Sequence, residues 1–357
     1  TDANGNNAYT ISISTEDAAV SASNLNSINA LTSIAVNLVN VNSITASDFT
    51  DLTTLNASRS EFSNITGIAA VTLTDLNDSI NSSIGSDYGT LETIIDNYQA
   101  NFNSNVVFSF QSRDTIVIGT DSQLSAFLTD LGSGALALTD QSITIDSTFP
   151  ITVSQANTID GLTTGTVTAS IATDSTVDSL KTLTGTNAYT IVIAEGDATG
   201  STASELNTID AATSVQVDAN AITAISGTYT DITNLYASSG VTGLANEAIT
   251  ITDELTVAQA NIIDGLTTGA ITATIGNSRV SDLLGSTPLT DANGNNAYTI
   301  SISTEDATGL TATQLNSINA LTSLPVDASA VTSLSFDTIT NIITLLASGV
   351  DTAQFTN

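Results

Sequence analysis

Histidine and cysteine are both absent from the 357 residues, and their absence removes most catalytic machinery before any motif is sought. Without them no Ser-His-Asp or Cys-His nucleophile can be assembled, and no imidazole or thiolate can hold a metal. A disulfide framework is excluded as well, so the redox compartment is unmarked. Basic residues are nearly missing: Arg59, Arg113, Lys181 and Arg279 stand against 36 acids, for a net charge of −32. A surface of that sign repels phosphate backbones and anionic lipid, which excludes nucleic acid as a partner. No apolar run approaches the ~20 residues needed to span a bilayer, and no signal peptide leads the chain. It opens at Thr1 without Met, as a mature or excised piece of something longer would. Three prolines are scattered along it, and no Pro-rich or Gly/Ser-rich linker marks a boundary.

What is present is enough apolar material to fold. The hydrophobic fraction is 41%, but it consists of small and β-branched residues, with only seven tyrosines and nine phenylalanines. That composition suits thin repeated layers better than one thick core. Self-repulsion among so many acids is tolerable at high ionic strength or with divalent cations between carboxylates, which points to a salty, calcium-containing exterior.

Repetition organises the chain. Residues 1–18, TDANGNNAYTISISTEDA, return letter for letter at 290–307, and TNAYTIVIAEGDA from Thr186 is a looser middle copy. SASNLNSINA at 21–30 matches 311–320 and TASELNTIDA at 202–211. DLTTLNAS at 51–58 matches DITNLYAS at 231–238, with FDTITNIITLLA at 336–347 as a weaker third version. A half-unit, ITVSQANTIDGLTT at 151–164, is nearly duplicated at 255–268. The resulting division is a first repeat copy over 1–75, divergent or enlarged rungs over 76–147, a second copy over 148–289 and a third over 290–357.

Each unit reads helix, turn, strand. In residues 310–334, Thr311 and Gln314 form a capping box, and Ala312, Leu315 and Ile318 make one buried stripe. Val326-Asp327-Ala328 then alternates at the period of a half-buried strand. Strand cores are expected at 167–171, 189–193, 215–219, 249–252, 271–275, 298–302 and 326–328, with capped helices in most gaps. That spacing predicts an elongated α/β solenoid of parallel strands, similar to leucine-rich repeats, with right-handed crossovers. The alternative is a string of small β-rich domains. In the strands, Tyr9, Ile11 and Ile13, and likewise Ile271, Ala273 and Ile275, are expected to face inward. Thr272, Thr274, Thr250 and Thr252 would then form hydroxyl ladders outside.

Candidate chemistry is sparse. Asp2, Asn4 and Asn6, repeated as Asp291, Asn293 and Asn295, resemble the oxygen-rich front of a calcium loop, and they are the candidate metal ligands. The glycine comes at position four rather than six, no acid follows at position twelve, and Asn-Gly is also a common tight-turn pair. The acidic pairs Glu16-Asp17, Asp253-Glu254 and Glu305-Asp306 are further candidates. Paired carboxylates for glycoside hydrolysis would survive the missing histidine, but the acids recur with the repeats instead of clustering once. The reading is therefore of a protein that is not an enzyme.

The run T-x-x-(Q/E)-(A/L)-N-x-I-(D/N)-(G/A)-L-T-(T/S), followed by V-x-A, resembles the giant repetitive acidic cell-surface proteins of marine cyanobacteria and bacterial adhesin-like repeat arrays. The likeness covers 1–58 and 151–347 well and the middle poorly. It implies an exported, calcium-associated structural protein of a surface layer, sheath or filament, extracellular or at the cell surface, that self-associates into a fibre or lattice. The alternatives are an adhesin or fibre module binding surface glycans or a receptor, and, third, an ice-binding solenoid.

Overall fold

A computed structural model describes residues 7–47, 49–74, 87–111, 115–348 and 350. The chain forms an α/β arrangement of parallel sheets and short helices that is solenoid-like, and it divides into two compact units. One comprises Thr1–Ala172 with Thr184–Thr190, the other Thr173–Leu183 with Ile191–Asn357. Among the described residues every strand pairing is parallel, as crossover through a helix requires. Antiparallel pairing, which separate small β domains would use, is not found among those residues.

The first unit holds a five-stranded sheet in the order Ala19–Ser21, Ser43–Ala46, Ala70–Leu73, Val107–Phe110, Leu136–Ala137. A four-stranded sheet runs Ala188–Thr190, Val167–Ser170, Ser142–Ile145, Thr115–Ile118, and Val36–Asn37 pairs with Phe62–Ser63. In the second unit the main sheet is Ser201–Thr202, Ala224–Gly227, Ala248–Leu255, Ile271–Ser278, Ala297–Ile302, and Val217–Asp218 pairs with Val241–Thr242. One rung thus carries two short strands in separate sheets, not the single strand that the sequence spacing suggests. Ser201–Thr202 leads through its own threonine cap into helix Ala203–Ala211, and Val217–Asp218 follows that helix.

The helices begin where local chemistry says they should. Thr152, Thr202, Thr256 and Thr311 each close a capping box with Gln155, Glu205, Gln259 and Gln314, satisfying N–H groups that the first turn leaves open. Inward residues are buried as the alternation requires: Ile271, Ala273 and Ile275 are covered, while Thr272 and Thr274 are exposed. The outward hydroxyls stack for short stretches, Thr250 beside Thr272 and Thr274 beside Thr299.

Tyr9 corrects one expectation. It is 51% exposed, whereas its counterparts Tyr189 and Tyr298 are sealed. Tyr298 pairs with Ala273 of the preceding strand, and among the described residues no such strand lies beside Tyr9, so Ile11 is also only half-buried.

The divergent stretch keeps its strands within the array. Val107–Phe110 pairs with Ala70–Leu73, and Thr115–Ile118 pairs with Ser142–Ile145. Its helices, Asp87–Asn101 and Asp121–Ser133, are 15 and 13 residues long instead of the eight or nine usual elsewhere. Aromatics fill the extra space: Tyr98 stacks on Phe102 at 4.5 Å, and Tyr88 meets Phe127 edge-on at 5.1 Å.

Candidate functional site

The repeated polar residues converge on joints between successive rungs. The first joint is the Leu-Thr-Thr/Ser turn after each helix. Thr163 Oγ1 donates to the Gln141 carbonyl at 2.6 Å and accepts from Gly165 N–H at 3.0 Å. Thr267 repeats this with Glu247 and Gly269, and Thr322 with Tyr298 and Leu324. One hydroxyl therefore closes its own turn and grips the previous rung.

The second joint is built from the helical asparagine. Asn26, Asn207 and Asn316 donate to the carbonyls of Asp51, Asp231 and Asn341, each in the helix of the next rung. In the half-units the asparagine oxygen accepts, Asn157 from Thr184 N–H and Asn261 from Thr290 N–H, both near 3 Å, and Asn261 Nδ2 also donates to the Pro288 carbonyl at 2.8 Å.

The third joint is buried. Asn296 Nδ2 donates to Asp264 Oδ1 at 2.7 Å and to the Tyr298 hydroxyl at 3.1 Å, while its Oδ1 accepts from Ile271 N–H at 3.0 Å. Thr290 Oγ1 occupies the other Asp264 oxygen at 2.7 Å. The first unit has the same set: Asn187 bonds Asp160 and Val167 N–H, and Thr184 bonds Asp160. Burial pushes the Tyr298 phenol upward, with Asp264 and Asp291 adding to it. The strand alternation assigns these tyrosines to the core and does not join them to the Ile-Asp turn. A signal for the joint does exist in the sequence, because Asp-Gly-Leu-Thr-Thr and Asn-Ala-Tyr recur in step.

Acids cap helices across rungs. Val177, Tyr229, Val280 and Thr313 donate N–H to Asp197, Asp253, Asp306 and Asp337. A carboxylate at a helix N-terminus meets open amides and the positive end of the dipole. Asn341 foremost, and then Thr313, holds the Asp337 carboxyl well below its ordinary range. A depressed pKa means this contribution is complete above the unfolded value and fades as pH falls through the folded one. Asp337→Asn is therefore expected to flatten the acid sensitivity of helices Ala312–Asn319 and Ile339–Ala347, read by amide exchange from about pH 5 to pH 2. An unchanged exchange profile would remove Asp337 from the account.

The predicted cation ligands can now be located. Asp291 Oδ1 accepts from Asn295 N–H at 3.1 Å and Asn296 N–H at 3.3 Å, and Asn293 Nδ2 reaches the Thr267 carbonyl at 3.5 Å. Gly294 has φ +69°, so the loop is a tight turn whose acid binds its own backbone. Asp2, Asn4 and Asn6 lie outside the described residues. Of the acidic pairs, Asp253 and Asp306 are the helix caps above, and Glu305 contacts Arg279. Among the described residues no group of three or more acids converges as a metal site.

Concavities lined by acids and hydroxyls are further candidates. A groove of about 630 Å³ in the second unit is lined by Glu254, Thr256, Ser278, Ser281, Asp282 and Ser286, where the strand register shifts. In the first unit Glu92, Asp96, Asp121 and Asp130 line a smaller one, with the Tyr88 hydroxyl donating to Asp130 at 2.6 Å. Burial raises the pKa values of Glu92 and Asp130.

No protein-family model matches the chain, and no curated protein does. A solved structure described as the crystal structure of Rad7 and Elc1 complex in yeast aligns over 76% of this chain and 82% of its own. Identity is 9% and the TM-score 0.20, a likeness too slight to carry an argument.

Proposed function

We propose that this is a non-enzymatic structural repeat protein, extracellular or at the cell surface, that self-associates with calcium into a surface layer, sheath or filament. The observation that carries the reading is the use of the recurring polar residues: Thr163, Asn207, Asn296 and Asp337, each representative of a repeated position, bond from one rung to the next. Residues committed to holding rungs together are a scaffold's inventory. The leucine-rich-repeat-like, elongated form belongs to the same proposal.

An adhesin keeps its specificity in a distinct element, whereas the divergent stretch pairs Val107–Phe110 with Ala70–Leu73 before it and Ser142–Ile145 with Val167–Ser170 after it, which supports the scaffold reading over that of a glycan-binding head. The test is calcium titration followed by small-angle scattering and electron microscopy. Calcium is expected to increase particle mass, and chelation to reverse it. Particles of one mass at every calcium and protein concentration would overturn the proposal.

A further inference from the structure

When glycine follows an asparagine or aspartate, the side-chain carbonyl carbon and the next backbone nitrogen can meet with least obstruction, because glycine has no Cβ to stand in the way. Among the described residues three such pairs occur: Asp160-Gly161, Asp264-Gly265 and Asn293-Gly294. The fold treats them differently. Gly161 and Gly265 cap helices Val153–Asp160 and Val257–Asp264 in helical backbone conformation. Gly161 N–H donates to the Asn157 carbonyl at 3.0 Å, and Gly265 N–H is shared between the Asn261 and Ile262 carbonyls. Their carboxylates are engaged too, Asp160 by Thr184 and Asn187, Asp264 by Thr290, Ala292 N–H and Asn296.

Asn293-Gly294 stands at the tip of the loop between helix Val280–Leu283 and strand Ala297–Ile302, and residues 292–295 are all exposed. Gly294 N–H reaches the Asp291 carbonyl at 3.3 Å and Asn293 Nδ2 the Thr267 carbonyl at 3.5 Å, both longer than an ordinary N–H···O bond. A Cβ added at Gly294 would meet nothing within 4 Å, so solvent reaches the nitrogen. Shorter bonds stand on either side: Ala292 N–H donates to Asp264 Oδ2 and Asn295 N–H to Asp291 Oδ1, each at 3.1 Å. The loop is held at both shoulders and loose between them.

We propose that Asn293 is a self-modification site, converted to aspartate and isoaspartate through attack by the Gly294 nitrogen. That nitrogen gives its proton to hydroxide and bonds to Asn293 Cγ; the bond from Cγ to Nδ2 breaks, Nδ2 leaves as ammonia, and a cyclic imide remains. Water then adds to one of the imide carbonyls. Opening on one side restores the ordinary backbone with an aspartate side chain. Opening on the other sends the chain through Cβ and Cγ as isoaspartate and leaves the former backbone carbonyl as the carboxylate. Either product removes the Nδ2 donor to Thr267 and adds a negative charge to a loop that already carries Asp291 and touches Asp264. Isoaspartate also lengthens the backbone between the two shoulders, so the turn closed by Asp291 loosens. None of this depends on whether copies of the chain assemble.

The test holds the whole chain in mild alkali and maps it with trypsin. Cleavage after Lys181 and Arg279 separates 182–279, which contains Asp264-Gly265, from 280–357, which contains Asn293-Gly294. Segment 280–357 is expected to gain one acid, divided between aspartate and isoaspartate and formed faster as pH rises, while 182–279 forms no isoaspartate at Asp264. Asn293→Gln should abolish the gain, because the longer side chain cannot close the same ring; the position is exposed, and thermal melting checks that the variant folds. In the converted protein the Asn295 and Asn296 N–H groups, which Asp291 holds, are expected to exchange about fivefold faster, the factor that losing one hydrogen bond allows. If 280–357 keeps all its amides, or gains an acid in the Asn293→Gln variant as well, the site is wrong. Equal exchange before and after conversion would overturn the loosening of the turn.

Discussion

Gly165→Ala is expected to lower the stability of the first unit by about 3 kcal/mol or more, because the added methyl has nowhere to go. Its Cβ would lie 2.3 Å from the Gln141 carbonyl oxygen, 2.4 Å from that carbonyl carbon and 2.7 Å from Ser142 N. All three are backbone atoms of the preceding rung, so no side chain can swing aside. Relief requires the rungs to part, and the Thr163 and Thr164 bonds to the Gln141 and Thr139 carbonyls part with them. Gly269→Ala should repeat the effect in the second unit, where the Cβ would meet the Glu247 carbonyl oxygen at 2.3 Å. The comparison variant is Gly132→Ala. Gly132 lies within helix Asp121–Ser133, and a methyl placed there would meet nothing within 4 Å, so alanine should stabilise by about 1 kcal/mol through helix propensity. Urea denaturation of the three variants decides the matter. A Gly165→Ala midpoint at or above that of the unmodified protein would mean the close approach is wrong.

The same turn shows where sequence reading stops. Ile34, Val215 and Leu324 occupy the position of Gly165 and Gly269 in the other copies, and all three are substantially exposed. Whether that position must be glycine depends on how near the previous rung's backbone comes, a distance no local pattern encodes. The capping boxes were legible because their partners lie three residues apart. The alternation at 271–275 was legible because both faces are declared within five residues. The second strand of each rung was not: Val217–Asp218 and Val241–Thr242 are two residues long, too short for a period to register. The repeated asparagine was visible as a letter, but its bond runs 24 or 25 residues onward to a carbonyl of the next helix. For the candidate ligands, the sequence identified the turn-forming character of Asp291 to Asn296, and the structure adds that Asp291 caps the loop's own amides.

Asn296→Ala is expected to cost about 3 to 5 kcal/mol, the second large effect, because three partners lose it at once. Ile271 N–H loses its acceptor, while Asp264 Oδ1 and the Tyr298 hydroxyl lose a donor, all within a wholly buried joint. The matched substitution in the first unit, Asn187→Ala, removes the same bonds to Asp160 and Val167 N–H. Asp160 is half-buried whereas Asp264 is only 5% exposed, so water can reach the first carboxylate and not the second. The cost of Asn187→Ala should therefore be smaller by about 1 to 2 kcal/mol, the penalty for leaving a charged acceptor unsatisfied out of reach of solvent. Asn296→Asp tests the sign of the interaction: it preserves the acceptor for Ile271 N–H but replaces the donor to Asp264 with a second carboxylate, so it should destabilise at neutral pH at least as much as Asn296→Ala. Urea denaturation of each variant gives the comparison. Equal losses for Asn187→Ala and Asn296→Ala, or an Asn296→Asp milder than Asn296→Ala, would show that desolvation of Asp264 does not govern this joint.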